Sequence, residues 1–111
     1  MFYRSANMSM AEAVVGVGEA TEYHYQKTST EIYYILEGYG MMEMEGEERK
    51  VSKEQVIIIP RIEKHRIRNI GNKPLRFLCL CAPPYDDKDT ILVGGYKRED
   101  FVVKFVPEKK R

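Results

Sequence analysis

Short β-prone segments, each followed by residues that favour turns, recur along the whole chain, and this pattern limits the possible folds most. Almost no long stretch places apolar side chains at the helical spacing i, i+3, i+4 and i+7. Turn residues such as Glu37-Gly38 and Gly71-Asn72 fall between apolar runs, which predicts antiparallel hairpins. The predicted strands are 13–17, 22–26, 31–36, 40–45, 48–51, 55–59, 65–70, 75–81 and 101–106.

Strands of this length and spacing predict an all-β protein, either a sandwich or a barrel, with the two-sheet jelly roll among the candidates. These architectures bury one face of each strand and limit the number of exposed edges. The run Val56-Ile57-Ile58-Ile59 is apolar throughout, so we expect it to be buried on both faces. The acidic segment 83–90 begins with two prolines and is interpreted as a loop that leaves the barrel.

Composition narrows the classes of function. A chain of 111 residues fits one domain, and 43% hydrophobic with 32% charged residues fits a soluble globular protein rather than a disordered or membrane one. The formal net charge of +1 lacks the basic excess that phosphate binding requires, so nucleic acid is not expected as a partner. No apolar stretch is long enough to span a membrane and no leader-like segment is present, so we expect a cytoplasmic protein without a membrane partner.

The two cysteines, Cys79 and Cys81, are expected to be reduced thiols. Neighbours at i and i+2 on one strand face hold their Cβ atoms too far apart for ordinary disulfide geometry. A Cys-x-Cys pair normally needs further soft ligands to bind a metal, and the surrounding residues of this strand are apolar. We therefore interpret both as small buried hydrophobic residues.

The two histidines mark the place where chemistry can occur. His24 and Gln26 share one strand face, and a hairpin after them brings back Glu31, a carboxylate that would need a cation if buried. His65 begins a later strand that barrel closure can bring to the same interior point. Two imidazoles and one carboxylate form a facial triad suited to non-haem iron, with the Gln26 carbonyl as a fourth donor. Spacing alone leaves open the alternative that these are satisfied polar side chains without a metal.

Two motifs resemble those of the cupin superfamily. The first family motif is Gly-x5-His-x-His-x3,4-Glu-x6-Gly, and the matching positions hold Gly18, His24, Gln26, Glu31 and Gly38. Gln26 stands where the second histidine is usual. The second family motif is Gly-x5-Pro-x-Gly-x2-His-x3-Asn, and the matching positions hold Glu54, Pro60, Ile62, His65 and Asn69. Glu54 and Ile62 replace the two glycines, while the spacing is unchanged.

The resemblance implies a double-stranded β-helix, or jelly-roll barrel, in which 1–111 form a single cupin domain with a core barrel at about 13–82 and a C-terminal extension at 83–111. It also implies a homodimer and a divalent metal ion held by the residues matching His24, Gln26, Glu31 and His65. An amide oxygen is a harder and weaker donor than imidazole, so Gln26 favours manganese, iron or zinc over nickel or copper. The alternative for Gln26 is a hydrogen bond to another interior group.

Strand parity predicts the lining of a mostly apolar cavity suited to a small organic molecule. Tyr33 and Ile35 share a face with Glu31, and Ile67 shares one with His65. Glu31 and Tyr33 are the candidate catalytic residues, because Tyr33 can donate a proton or a hydrogen bond to a ligand; ordinary core packing is the alternative for this tyrosine.

Three polar residues of the second motif region have structural interpretations. Arg66 and Arg68 alternate with the inward positions, so they are expected on the solvated outer face. Asn69 is expected to close the turn that follows it rather than to touch a substrate.

Two functions from different classes follow. The first is a metal-dependent enzyme acting on a small organic substrate, with dioxygenase-like or sugar-isomerase-like chemistry. The second is a non-catalytic module that binds a sugar or a small acid. One fold hosts many chemistries, so the choice rests on the site.

Overall fold

The computed structural model of the chain describes residues 3–93 and 104–105, and these form two antiparallel β-sheets that pack face to face. The strands are β1 (Tyr3–Arg4), β2 (Ser9–Val15), β3 (His24–Gln26), β4 (Thr30–Glu37), β5 (Tyr39–Met44), β6 (Glu47–Ser52), β7 (Val56–Ile59), β8 (His65–Asn69), β9 (Leu75–Ala82), β10 (Thr90–Leu92) and β11 (Lys104–Phe105). A 3₁₀ helix covers Asp87–Asp89. The predicted all-β jelly roll is therefore confirmed.

The larger sheet has six strands. Its order is β1-β2-β9-β4-β7, and β11 pairs with β2 as well. The smaller sheet has five strands in the order β10-β3-β8-β5-β6. Since β3 lies beside β8 and β4 lies in the opposite sheet, the first histidine motif is divided between the two sheets.

The hydrophobic core lies between the sheets and consists of inward-facing residues of both. Its largest fully buried side chains are Phe77, Ile35, Ile59, Ile67 and Leu75. Alternation along β8 and β9 agrees with the predicted parity, because every second residue is buried.

Positions where the two motifs use glycine have a left-handed backbone conformation in this chain. Gly38 has φ +95°, and a Cβ there would lie 2.8 Å from the Pro74 carbonyl oxygen, so no other residue fits. Glu54 and Ile62, the two residues that replace motif glycines, also have positive φ, of 71° and 74°. The chain thus keeps the conformation for which the family uses glycine and accepts the strain of an L side chain, which is greatest for β-branched Ile62.

The prediction that 56–59 are buried on both faces is wrong. Ile57 and Ile59 are buried, but Val56 and Ile58 are 55% and 61% exposed on the outer face of the larger sheet. The strand β7 lies at the edge of that sheet and its outer face is uncovered, because the described barrel has no third layer.

The first predicted strand, 13–17, is displaced. The observed strand β2 begins at Ser9 and ends at Val15, and it includes Glu12. This carboxylate interrupts the apolar pattern, but it points outward and accepts a hydrogen bond of 2.9 Å from Arg76 of β9. Of the last predicted strand, only Lys104 and Phe105 fall within the described residues; they pair with β2, while 101–103 and 106 lie outside the described residues.

The segment 83–90 returns to the barrel instead of leaving it. Its 3₁₀ helix carries Asp89, whose buried carboxylate accepts hydrogen bonds from the Thr28 and Ser29 backbone amides and from the Thr28 hydroxyl. The next residues form β10, which pairs with β3 and places Leu92 opposite His24. The β-branched run that begins at Thr90 was a signal for this strand.

No helix among the described residues has the length and apolar character that a membrane crossing requires.

Candidate metal centre

The interior of the barrel changes character from one end to the other. Along β9 the inward residues run from Leu75 and Phe77 to Cys79 and Cys81. The paired residues of β2 become smaller in the same direction, with Val15 opposite Leu75 at one end and Ser9 opposite Cys81 at the other. Small side chains at this second end leave space that the large ones fill at the first.

That space is a cavity of about 250 Å³. Its lining residues come from both sheets and from the segment after β9: Ser9, Ala11, Ala13, Thr21, Glu22, His24, Glu31, Tyr33, Phe77, Cys79, Cys81, Tyr85 and Thr90. The lining is mostly apolar with a few charged and hydrogen-bonding groups, which is typical of a site for a small molecule.

Three of the predicted metal ligands lie together at this end of the barrel, and two of them, His24 and Glu31, line the cavity. His24 and His65 are paired directly across β3 and β8, with ring centroids 4.3 Å apart. Glu31 reaches them from β4 in the opposite sheet: its Oε1 atom lies 3.0 Å from His65 Nε2 and 3.8 Å from His24 Nε2. All three side chains are buried. The structure therefore brings together residues that are separated by 41 positions in the chain.

Backbone carbonyls orient both imidazoles. His24 Nδ1 donates to the Glu22 carbonyl at 2.7 Å, and His65 Nδ1 donates to the Glu63 carbonyl at 2.8 Å. With the proton on Nδ1, each ring directs its Nε2 toward Glu31, and Nε2 carries no proton when the ring is neutral.

When His65 is neutral, its contact with Glu31 joins two hydrogen-bond acceptors. His65 Nε2 and Glu31 Oε1 lie within hydrogen-bond distance, yet neither has a hydrogen-bond partner among the described residues. Only a proton on Nε2 or a cation between the two atoms makes this arrangement favourable.

The charge state of Glu31 depends on the same cation. Burial raises the pKa of the Glu31 carboxyl. A hydrogen bond and positive charge from a protonated His65, positive charge on His24 and a hydrogen bond from the Cys79 thiol outweigh burial and hold the pKa below its ordinary value. With neutral imidazoles, a bound cation would have to supply that positive charge.

The donor atoms fit a divalent metal ion. Metal–ligand bonds of about 2.1 Å place neighbouring ligand atoms about 3.0 Å apart in an octahedron and about 3.4 Å apart in a tetrahedron. The observed distances of 3.0 and 3.8 Å between Glu31 and the two histidines are close to these edges. Two imidazole nitrogens and a carboxylate oxygen also form the facial set that leaves coordination positions open.

A family model described as a cupin domain matches residues 11–81. The chain belongs to the cupin family. This cupin is 49% identical over 88 residues to an uncharacterized protein of Methanocaldococcus jannaschii, a match that covers 79% of this chain and 70% of the relative. It is 32% identical over 66 residues to the tetracenomycin polyketide synthase protein TcmJ of Streptomyces glaucescens, covering 60% of this chain and 44% of that protein, so it spans under half of that relative.

Among solved structures, this cupin is similar to one described as a predicted oxalate decarboxylase from Thermotoga maritima. The TM-score is 0.66 with 28% sequence identity, and the match covers 69% of this chain and 67% of that one.

Gln26 makes a hydrogen bond of the kind expected as the alternative to coordination, although the sequence alone does not identify its partner. It is buried on the same face of β3 as His24, and its amide oxygen accepts a hydrogen bond of 3.1 Å from the Thr90 hydroxyl. Its amide nitrogen has no hydrogen-bond partner among the described residues. Coordination by Gln26 therefore stays a prediction, and Thr90 is a new neighbour that positions its amide.

Tyr33 lies in the wall of the cavity. Its ring packs on Phe77 with centroids 4.5 Å apart and meets the His65 ring edge-on at 6.1 Å. Burial, followed by the charge of Glu31, raises the pKa of the phenol well above its ordinary value, so Tyr33 stays protonated and can act only as a hydrogen-bond donor or acceptor. The predicted lining residues Ile35 and Ile67 do not reach the cavity; they are fully buried in the packed core.

The two cysteines are close to the candidate metal ligands, which the sequence interpretation missed. Both are reduced and buried as predicted, but their thiols are directed at Glu31. Cys79 Sγ lies 3.2 Å and Cys81 Sγ lies 3.7 Å from Glu31 Oε2, the oxygen that does not face the histidines. A hydrogen bond with Cys81, burial and the charge of Glu31 raise the pKa of the Cys79 thiol well above its ordinary value. The signal available in the sequence was the shared inward face of Cys79 and Cys81.

The remaining polar residues of the second motif have the predicted positions. Asn69 donates to the carbonyls of Val15 and Lys73 and accepts from the Gly71 amide, so it closes the turn after β8. Arg66 and Arg68 lie on the outer face, where Arg66 pairs with Glu43 of the adjacent strand β5 and Arg68 pairs with Glu48 of β6, one strand farther away.

Proposed function

We propose that this cupin is a metal-dependent enzyme acting on a small organic molecule that approaches a divalent ion through its own oxygen atoms. The observation that carries the proposal is the meeting of three buried ligand atoms, His24 Nε2, His65 Nε2 and Glu31 Oε1, of which the last two have no hydrogen-bond partner among the described residues. A site built this way is stabilised by a cation that has positions left for a substrate.

The residues that line the cavity indicate which class of substrate would bind there. None of the described lining residues is Lys or Arg, so a phosphate group would enter without a counter-charge other than the metal. This favours dioxygenase-like chemistry on a small, largely apolar molecule over isomerisation of a phosphorylated sugar. A bound ion supplies Lewis-acid polarisation of substrate oxygens, and oxygen chemistry follows only if the ion is redox-active.

Each residue has a proposed role. His24, Glu31 and His65 hold the ion, and Gln26 is a fourth donor whose amide is positioned by Thr90. Tyr33 donates a hydrogen bond to the substrate from the cavity wall. The oxygen and nitrogen donors favour manganese, iron or zinc over nickel or copper.

Metal content tests the proposal. The protein is loaded in turn with manganese, iron, zinc, nickel and copper, dialysed, and analysed by mass spectrometry of the metal. We expect one ion of manganese or iron per chain in the wild type. A His24→Ala, His65→Ala double variant should bind neither manganese nor iron. A Tyr25→Phe variant, changed on the other face of β3, is the matched control and should bind as the wild type does.

A Glu31→Ala variant distinguishes the enzyme hypothesis from the hypothesis of a non-catalytic binding module. Loss of turnover in a variant with an unchanged circular dichroism spectrum supports the enzyme. Unchanged affinity for a sugar or small acid, with no turnover in either form, supports the binding module instead.

We also propose that the protein is a homodimer formed through the outer face of the larger sheet. Cross-strand pairing lines up a continuous apolar row over five strands: Tyr3, Met10, Leu80, Ile32 and Ile58. The outer face of the smaller sheet differs, since it carries ion pairs such as Arg68 with Glu48. An apolar sheet face of this extent is typical of an isologous contact between two copies.

Light scattering after size-exclusion chromatography measures the assembly. We expect twice the 13.0 kDa chain mass for the wild type and the single chain mass for Ile58→Lys. A Met41→Lys variant, changed on the outer face of the smaller sheet, should remain a dimer. A wild type that elutes as a monomer at all concentrations would contradict the proposal.

A further inference from the structure

We propose that Glu31, Cys79 and Cys81 form a second metal position, for a thiophilic cation such as Zn²⁺, which shares Glu31 with the imidazole site. The two oxygens of Glu31 face different partners: Oε1 faces the histidines, and Oε2 faces the thiols. One carboxylate can therefore bind an ion on each side.

The distances within the thiol group fit tetrahedral coordination. Zinc–sulfur bonds of about 2.3 Å and zinc–oxygen bonds of about 2.1 Å give tetrahedral edges of about 3.8 Å between sulfurs and about 3.6 Å between sulfur and oxygen. The observed Sγ–Sγ distance is 3.9 Å, and the Sγ–Oε2 distances are 3.2 and 3.7 Å. An ion fits between these three atoms with small changes of side-chain torsion.

Charge balance permits the ion in a buried site. Exchange of two thiol protons for one divalent cation leaves the total charge of the site unchanged. No additional buried charge then needs a counter-ion, which removes the usual obstacle to a charged group in a core.

The fourth coordination position is directed to a place where a ligand can reach it. Glu31, Cys79 and Cys81 all line the cavity, and Ser9 and Ala11 of β2 are the small side chains beside the thiols. A cation there has three protein ligands and one open position, the arrangement found where a metal meets a small molecule rather than serving only the fold.

The simpler interpretation is that both thiols only donate hydrogen bonds to Glu31. These would be weak bonds, since S–H is a poor donor, and they would be the contacts that satisfy Oε2 of a buried carboxylate. The two interpretations differ in one measurable property, which is whether the sulfurs become metal-bound thiolates.

Titration with Cd²⁺ measures that property directly. Thiolate bound to Cd²⁺ gives a charge-transfer absorption in the ultraviolet, and the two cysteines are the only ones in the sequence, so the signal reports this position alone. We expect the absorption in the wild type and its complete loss in Cys79→Ser, Cys81→Ser, with one fewer Cd²⁺ per chain by equilibrium dialysis.

The His24→Ala, His65→Ala variant distinguishes a second position from thiols that merely join the imidazole site. We expect this variant to keep the thiolate absorption with Cd²⁺ and to lose Mn²⁺ binding, because Mn²⁺ prefers nitrogen and oxygen donors. Absence of the absorption in the wild type, or its loss in the histidine variant, overturns the proposal. Should the double variant not fold, His24→Ala alone serves, since His24 is the histidine farther from Glu31.

The same measurements keep this inference separate from the proposed function. Failure of the wild type to bind Mn²⁺ contradicts the imidazole site, whatever Cd²⁺ does. Failure of the cysteines to bind Cd²⁺ contradicts the thiol position, whatever Mn²⁺ does.

Discussion

The two ends of the barrel are built from the same strands but serve different purposes. At one end, Val15, Leu75 and Ile35 fill the interior completely. At the other end, the continuation of β2 and β9 supplies Ser9 and Cys81, and a cavity opens beside Glu31. We call these the packed end and the open end. The comparison shows that stability and binding are divided along the strands, within one core.

This division predicts which substitutions change stability and which change binding. At the packed end a substitution leaves a void, and its cost follows the volume removed. At the open end Glu31 Oε1 and His65 Nε2 have no hydrogen-bond partner among the described residues, so substitution can stabilise the metal-free protein while removing a site.

The largest effect is expected at the packed end. Ile35→Ala should lower the free energy of unfolding by about 2–5 kcal/mol, because Ile35 is fully buried and its neighbours cannot collapse into the space. Urea unfolding measures the loss. Val17→Ala, at a side chain that is 57% exposed, is the control and should change stability by under about 0.5 kcal/mol. Equal losses of stability in the two variants would contradict the interpretation that the packed end is a tightly packed core.

At the open end we expect a substitution to raise the stability of the metal-free protein instead of lowering it. Glu31→Gln should raise the stability of the metal-free protein by about 1–3 kcal/mol, because the amide nitrogen can donate to His65 Nε2 and a buried charge is removed. At a metal concentration 1,000-fold above its dissociation constant, binding stabilises the wild type by about 4.1 kcal/mol and not the variant, so the order reverses.

Thermal unfolding with and without Mn²⁺ measures the reversal. Glu12→Gln is the matched control, since Glu12 is also buried but is paired with Arg76 at 2.9 Å. This control should lose stability and show no dependence on metal. A metal-free Glu31→Gln variant that is less stable than the wild type would mean that a protonated imidazole already satisfies Glu31.

Filling the open end should make it resemble the packed end. Ala11→Val adds two methyl groups to the cavity wall beside Cys79, and we expect stability to rise by about 1 kcal/mol. Mn²⁺ binding should remain, because Ala11 is not a ligand. A loss of stability would indicate that the cavity wall at Ala11 is already tightly packed.

The smallest effect concerns the strained turn before His65. Ile62→Gly removes a β-branched residue at φ 74°. Relief of backbone strain stabilises the variant, while the larger entropy that glycine loses on folding destabilises it, so we expect a net gain of about 0.5 kcal/mol. The reverse change at the packed end, Gly38→Ala, should lower stability, since a Cβ there would meet the Pro74 carbonyl oxygen. Chemical unfolding of both variants compares the two turns.

Much of the fold could be predicted because it rests on local patterns. Alternation along the strands identified the inward positions of β4, β8 and β9, and motif spacing identified His24, Glu31 and His65 before any geometry was known. These predictions depend on period and spacing, which one strand carries by itself.

The rest depends on contacts between distant segments. The exposure of Val56 and Ile58 follows from the edge position of β7, and the pairing of β10 with β3 joins residues more than sixty positions apart, so neither is encoded within one strand. The two thiols were interpreted as apolar filler because a Cys-x-Cys pair alone is a weak signal. Their meaning changes when β9 places them beside Glu31, a residue of another strand.

The hydrogen bonds at the two histidines have a consequence for protein engineering. Each ring donates to the carbonyl of the residue two positions before it, Glu22 for His24 and Glu63 for His65, so the histidine and its orienting acceptor lie within three consecutive residues at the start of a strand. Such a unit contains the acceptor that orients its own imidazole. It can be transferred as a short sequence to the strands of another β-barrel, where a new metal site then needs only a carboxylate on the facing sheet.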